Sequence, residues 1–182
     1  MGWAQYAFSE DGREVLGWEV KQIAKGVITR DGDPATLLVA PDSYEIRKGD
    51  LLIPYDADPY DLTFYPRPMP NAPSDIRVMA VTEWMLHGGP RDVVAISAGA
   101  REGVENGHVF EMFHPGDRVV DGIAHSQPLV ANRRDNQVKL PDEFVGHAMV
   151  FRTFDRISYA LIMDGIRPAK VDDRLRPPPA AR

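Results

Sequence analysis

Apolar residues in this chain come in short runs that mostly alternate with polar ones. Leu16, Trp18 and Val20 alternate with Gly17 and Glu19, which predicts a strand. Residues 26–29, 36–39 and 51–53 read as further strands, with Asp31-Gly-Asp-Pro34 as a turn between the first two. Residues 42–46 read as a turn or single helical turn, with Asp42 as a possible cap. Residues 93–98 are apolar and β-branched, and Gly99, Gly103 and Gly107 then punctuate the chain. Phe110 and Met112 alternate with Glu111, as in a half-buried strand. Pro115-Gly116-Asp117 turns the chain into Val119 and Val120. Residues 76–86 fit either a helix capped by Asp75 or a strand, and their neighbours favour the strand. Residues 144–154 and 157–163 predict two strands joined at Asp155-Arg156, after a polar loop around 131–136. The fold class expected from this pattern is all-β, with small barrel- or sandwich-like modules in tandem and few or no long helices.

Between 54 and 75 the character changes. Pro54, Pro59, Pro66, Pro68, Pro70 and Pro73 fall here. Proline removes ladder donors and restricts the residue before it, so this is a linker or an extended arm. Tyr55, Tyr60, Phe64 and Tyr65 lie within it, which suits an arm that packs onto something. An internal repeat divides the rest. Residues 23–28 resemble 157–162 at an offset of 134, and residues 46–52 resemble 169–175 at an offset of 123. The 11-residue difference is assigned to the 31–44 loop. The expected organisation is a partial β module over 1–54, an arm over 55–75, a complete module over 76–176 and a tail over 177–182. On this reading the first copy lacks its front half, as if cut from a longer protein. Its strands then need partners from module two or from a second copy of the chain, that is, a possible homo-oligomer.

Composition narrows the function classes. A formal charge of −6 argues against nucleic-acid binding as the main role. Cysteine is absent, which removes disulfides, thiolate metal sites and cysteine nucleophiles. No apolar run is long enough to span a membrane as a helix.

Candidate chemistry is sparse. His87, His108, His114, His125 and His147 show neither His-x-His nor His-Glu-x-x-His spacing, so no metal site is expected. His108 and His114 share one side of a strand only if no turn intervenes. Ser97, Ser126 and Ser158 lack a nucleophile-elbow setting. Asp56, Asp58 and Asp61 lack the glycine and terminal glutamate of a calcium loop. The three glycines from Gly99 do not match a dinucleotide fingerprint. No catalytic residue and no cofactor is therefore expected. Gly49-Asp50, Gly103, Gly107 and Gly116-Asp117 are expected to be structural turns, with the Gly-Asp glycines left-handed and the aspartates bonding backbone amides.

Residues 14–20 (Glu-Val-Leu-Gly-Trp-Glu-Val), 32–39 (Gly-Asp-Pro-Ala-Thr-Leu-Leu-Val) and 45–54 (Glu-Ile-Arg-Lys-Gly-Asp-Leu-Leu-Ile-Pro) carry a resemblance. So do Ser97-Ala-Gly99 and residues 103–110 and 151–161. In this order they resemble the C-terminal region of LysM-domain secretin-associated proteins of type IV pili (TsaP-like), and the C-terminal module of the flagellar protein FlgT. The resemblance implies a periplasmic, non-enzymatic scaffold at an outer-membrane secretin ring, held to peptidoglycan by a LysM module that this chain lacks. The family's second Gly-Asp turn is Asp172-Asp173 here, and Asp tolerates the left-handed conformation. Tyr60, Phe64 and Tyr65 are the candidate partner contacts. The alternative is a glycan-binding domain in which Trp18, Trp84 or Tyr65 stacks on sugars.

Overall fold

The computed structural model describes residues 4–7, 15–20, 22–41, 43–54, 63–82, 86–120 and 137–179. These residues are all-β, with no α-helix among them. The chain divides into two compact units, Met1–Pro59 and Tyr60–Arg182.

The second unit is a closed barrel. Its strands are β6 (Ile76–Val81), β7 (Val93–Ile96), β8 (His108–His114), β11 (Glu143–Thr153), β12 (Ser158–Gly165) and β13 (Arg174–Arg176). They run in the spatial order β11-β12-β7-β6-β13-β8, and β8 pairs back to β11. All six pairings are antiparallel. Closure leaves none of these strands as a sheet end, so their backbone groups do not invite foreign strands. Alternation fills the interior: β8 turns His108, Phe110 and Met112 inward, and β12 turns Ser158, Ala160 and Ile162 inward. Ile76, Val78, Val94, Ile96, Val145, Val150 and Leu175 complete a core that is almost wholly screened from water. A barrel this narrow is packed by its own side chains.

Ambiguous residues 76–86 resolve as β6 at Ile76–Val81. The turn at Asp155-Arg156 is present, closed by Phe154 N–H to Ile157 O at 2.9 Å. After Gly99 comes a single 3-10 turn, Ala100–Glu102. Gly99 is needed there for space: a Cβ would lie 2.5 Å from Phe154 O. Between β8 and β11 stands a two-stranded ribbon of β9 (Arg118–Val120) and β10 (Gln137–Lys139). The polar-loop expectation at 131–136 lies outside the described residues.

Residues 63–75 of the proline-rich stretch belong to the second unit. β5 (Arg67–Pro68) lies parallel to β8, with Arg67 opposite His108 and Pro68 opposite Val109. It takes the β8 edge that β13 leaves open, since β13 pairs only with residues 111–113. Met69, the next residue, is 4% exposed and joins the core.

The first unit differs. β1 (Ala4–Ala7) pairs with β2 (Val15–Glu19), and β3 (Gly26–Arg30) pairs with β4 (Thr36–Val39). Two expectations are corrected here. Residues 51–53 form no strand and stand exposed. The 31–44 segment, also assigned the repeat offset as a loop, is not a loop throughout, because the strand expected at 36–39 forms within it as β4. Consequently β3, the counterpart of β12 in the repeat, pairs with β4, whereas β12 pairs with β11 and β7. The local sequence is repeated, but the pairing is not, because strand partners are chosen by what the surrounding chain offers. The Asp42 cap lies outside the described residues, and residues 43–47 form no helical turn.

Phe110, with no exposed surface, is the largest fully buried side chain among the described residues. Phe110→Ala should lower the unfolding free energy of the barrel by about 3–5 kcal/mol through cavity formation, read as a fall in the urea midpoint at constant slope.

Candidate functional site

Four tight turns share one hydrogen-bond pattern. In each, the N–H of the first residue donates to the side chain of the fourth, and the N–H of the fourth donates to the carbonyl of the first. The third residue has positive φ. Arg47–Asp50 does this with Asp50 Oδ2 at 2.8 Å, a return bond of 3.1 Å and Gly49 at φ 101°. Gly89–Asp92 does it with Asp92 Oδ2 at 2.7 Å, a return bond of 3.0 Å and Arg91 at φ 79°. Lys170–Asp173 uses Asp173 Oδ2 at 2.8 Å, a return bond of 3.2 Å and Asp172 at φ 71°. Glu105–His108 uses His108 Nδ1 at 3.1 Å, a return bond of 3.1 Å and Gly107 at φ 92°. The last three lead directly into β7, β13 and β8.

The Gly49-Asp50 turn and the survival of the Asp172-Asp173 turn were expected. Gly103 also takes positive φ, at 80°, as the cap of the 3-10 turn. Gly116-Asp117 is corrected: Gly116 is not among the positive-φ glycines. What requires glycine at 116 is room, since a Cβ would lie 2.1 Å from Leu140 O. Its N–H donates to Asp142 Oδ1 at 3.2 Å, and Asp117 contributes its carbonyl, which accepts Leu140 N–H at 2.9 Å. Asp142 also meets Lys139 Nζ at 3.1 Å and the Arg176 guanidinium. The Gly116 amide, then the lysine, hold its carboxyl down at about 2.

The histidines are dispersed. His108 and His114 sit at the two ends of β8 with no turn between. Six residues of strand separate them by about 20 Å, too far for a shared metal. His108 is buried, and desolvation, then the nearby Arg67 charge, lower its pKa; Nδ1 is the acceptor in its turn. His114 Nδ1 lies 2.7 Å from Asp173 Oδ1, and Asp173 has no exposed surface. His147 donates to Asp164 from Nδ1 at 2.8 Å, and its Nε2 is 3.9 Å from Glu111. That ring bond is the main reason the Asp164 carboxyl is lowered. His87 is exposed. Among the described residues no set of three or more His, Asp or Glu side chains could hold a metal ion. Ser97 Oγ accepts Arg77 N–H at 2.9 Å, and Ser158 Oγ donates to Ala98 O at 2.8 Å, so both serve the sheet. His125, Ser126, Asp56, Asp58 and Asp61 lie outside the described residues.

Of the candidate contacts, Phe64 is half-buried and Tyr65 is 76% exposed, on the arm that leads into β5. Tyr60 lies outside the described residues, as does Trp84. Trp18 is exposed in the first unit. An aromatic group that sequence reasoning missed stands at the β11–β12 tip. There Phe151 stacks on Tyr159 at 6.4 Å, Phe154 meets Tyr159 edge-on at 5.6 Å, and Arg152 lies 4.9 Å from the Phe154 ring. Its signal was the aromatic spacing of residues 151, 154 and 159 around a turn.

No family model and no curated protein matches this sequence.

Two outcomes follow from these contacts. His114→Ala strands the buried Asp173 carboxylate on the Lys170 amide, and should cost about 3 kcal/mol in urea unfolding. Asp142, with its folded pKa lowered from 3.8 to about 2, contributes fully above about pH 4 and loses that contribution as pH falls through 2. The stability gap between the native chain and Asp142→Asn should therefore shrink over that acid window when melting temperatures are compared.

Proposed function

We propose that this chain is a non-enzymatic interaction module of a bacterial cell-envelope assembly, of the kind found in LysM-domain secretin-associated proteins of type IV pili. The observation that carries this reading is the surface of the first unit. Among residues 15–18, 20, 22–41 and 43–54 none is buried. Trp18, Val27, Ile28, Leu38, Tyr44, Leu51, Leu52 and Ile53 are each more than half exposed. Apolar surface on this scale is characteristic of a segment that another chain covers. The barrel, in contrast, has a closed and filled core, and its buried polar groups Ser158 and Asp173 have hydrogen-bond partners within the fold. That division suits a rigid scaffold joined to an adhesive segment.

On this reading the module works in the periplasm, beside an outer-membrane secretin ring. Attachment to peptidoglycan belongs to a LysM module outside residues 1–182, and self-association is open to the first unit. The arm bearing Tyr60, Phe64 and Tyr65 is the candidate partner contact, supported by the 76% exposure of Tyr65. Replacing these three residues by Ser should weaken secretin capture at least about tenfold, the loss of about 1.4 kcal/mol. Unchanged capture would remove the arm from the interface.

Glycan binding is the second reading, favoured by the exposed rings of Trp18 and Tyr65. Titration with peptidoglycan fragments, followed by tryptophan fluorescence, separates the two: a scaffold gives no saturable change.

A further inference from the structure

Three of the four shared turns take their side-chain acceptor from aspartate, at Asp50, Asp92 and Asp173; the fourth takes it from His108 Nδ1. An aspartate side chain keeps an acceptor oxygen whether or not it carries a proton. An imidazole does not, because one added proton turns Nδ1 from acceptor into donor. Glu105 N–H, 3.1 Å away, would then face a donor, and the turn would lose that bond. His108 is 4% exposed, so the new charge would also form away from water.

Charged groups reach His108 from two sides. Arg67, on β5, opposes a proton on the ring, and Glu105, in the turn itself, favours one. β11 meets the turn through the Val150 carbonyl, which accepts Gly107 N–H at 2.7 Å, and through Thr153 Oγ1, which donates to Asn106 Oδ1 at 3.2 Å.

What the turn holds is the arm. Arg67 N–H donates to Gly107 O at 3.0 Å, and the Arg67 guanidinium meets the Glu105 carboxylate at 2.5 Å. The Tyr65 carbonyl lies so close over Gly107 that a Cβ there would be 2.7 Å from it. Both ends of the Arg67 attachment therefore depend on the backbone of residues 105–107.

We propose that residues 63–69 are a strap released by protonation, with His108 as its latch. Neutral His108 closes the 105–108 turn and docks the arm on β8. Protonated His108 opens the turn and frees the arm, uncovering Met69 beside Phe64 and Tyr65. Burial, then Arg67, lower the His108 pKa in the docked state. Docking is then complete above the ordinary histidine pKa, and weakens as pH falls from there through the lowered value. The inference does not depend on the scaffold reading.

Amide hydrogen exchange on the full chain tests it, with the Arg67 and Glu105 amides followed from about pH 7.5 to about pH 4.5. After correction for intrinsic rates, protection should hold at the upper end. It should then fall about tenfold for each pH unit by which docking lowers the histidine pKa. His108→Asn offers an acceptor oxygen like that of the three aspartates but does not titrate, so its arm should stay protected throughout. Imidazole resonances of His108 in the native chain give a readout that needs no variant: their midpoint should fall at the lower end of the pH range over which Arg67 protection is lost. Constant protection in the native chain, an equal fall in His108→Asn, or an imidazole midpoint that does not track the arm would overturn the strap.

Discussion

A six-stranded barrel closes only if its last strand meets a neighbour along each edge, and here that strand is β13, three residues long. Two residue pairs join it to β6 and three join it to β8. So short a ladder is weak alone. It is reinforced at its entry, where Asp172 N–H donates to Val78 O and Val78 N–H donates to Asp173 O, both at 2.8 Å. The Asp173 carboxylate, fully removed from water, binds the Lys170 amide on one oxygen and His114 on the other. A buried carboxylate is costly unless its oxygens are paired, so closure of the barrel and satisfaction of Asp173 are one requirement. Leu175, next along β13, places an apolar side chain in the core and adds the hydrophobic share.

The turn that performs this closure recurs before β7 and β8, and in the first unit at 47–50. It works because the side chain of the fourth residue accepts the N–H of the first, an amide at the start of the turn that no ladder serves. The requirement is local: an acceptor at the fourth position and a third residue that tolerates positive φ. Glycine, aspartate and even Arg91 occupy that third place. Where the acceptor is histidine, the turn acquires a proton-dependent form. That turn is also where β5 takes the edge of β8 that β13 is too short to cover. The arm's position is thus a consequence of the brevity of the closing strand.

The two units show what such turns cannot do alone. The 47–50 turn matches the 170–173 turn bond for bond, yet none of residues 22–41 and 43–54 around it is buried, and residues 51–53 remain outside any ladder. Turn chemistry sets the direction of a chain, whereas a core requires several strands that screen each other's apolar faces. The exposed valines, leucines and isoleucines of the first unit are the physical basis for reading it as an adhesive segment.

Period-two alternation and turn residues were enough to predict an all-β chain and to locate β2, β3, β4, β6, β7, β8, β11 and β12. These signals are local, set by backbone sterics and by which face of a strand is wet. The 46–52 to 169–175 likeness was legible for the same reason, because the turn it contains closes within four residues. Tertiary structure alone decided the pairings: that β3 joins β4, that β5 joins β8, and that Gly116 is needed for room beside Leu140 rather than for its φ. It alone brought Asp173 to His114, 59 residues apart in the chain, and set Arg67 beside the buried His108. Pairing, burial and the electrostatics they create depend on residues distant in sequence, and no local pattern encodes which of them meet.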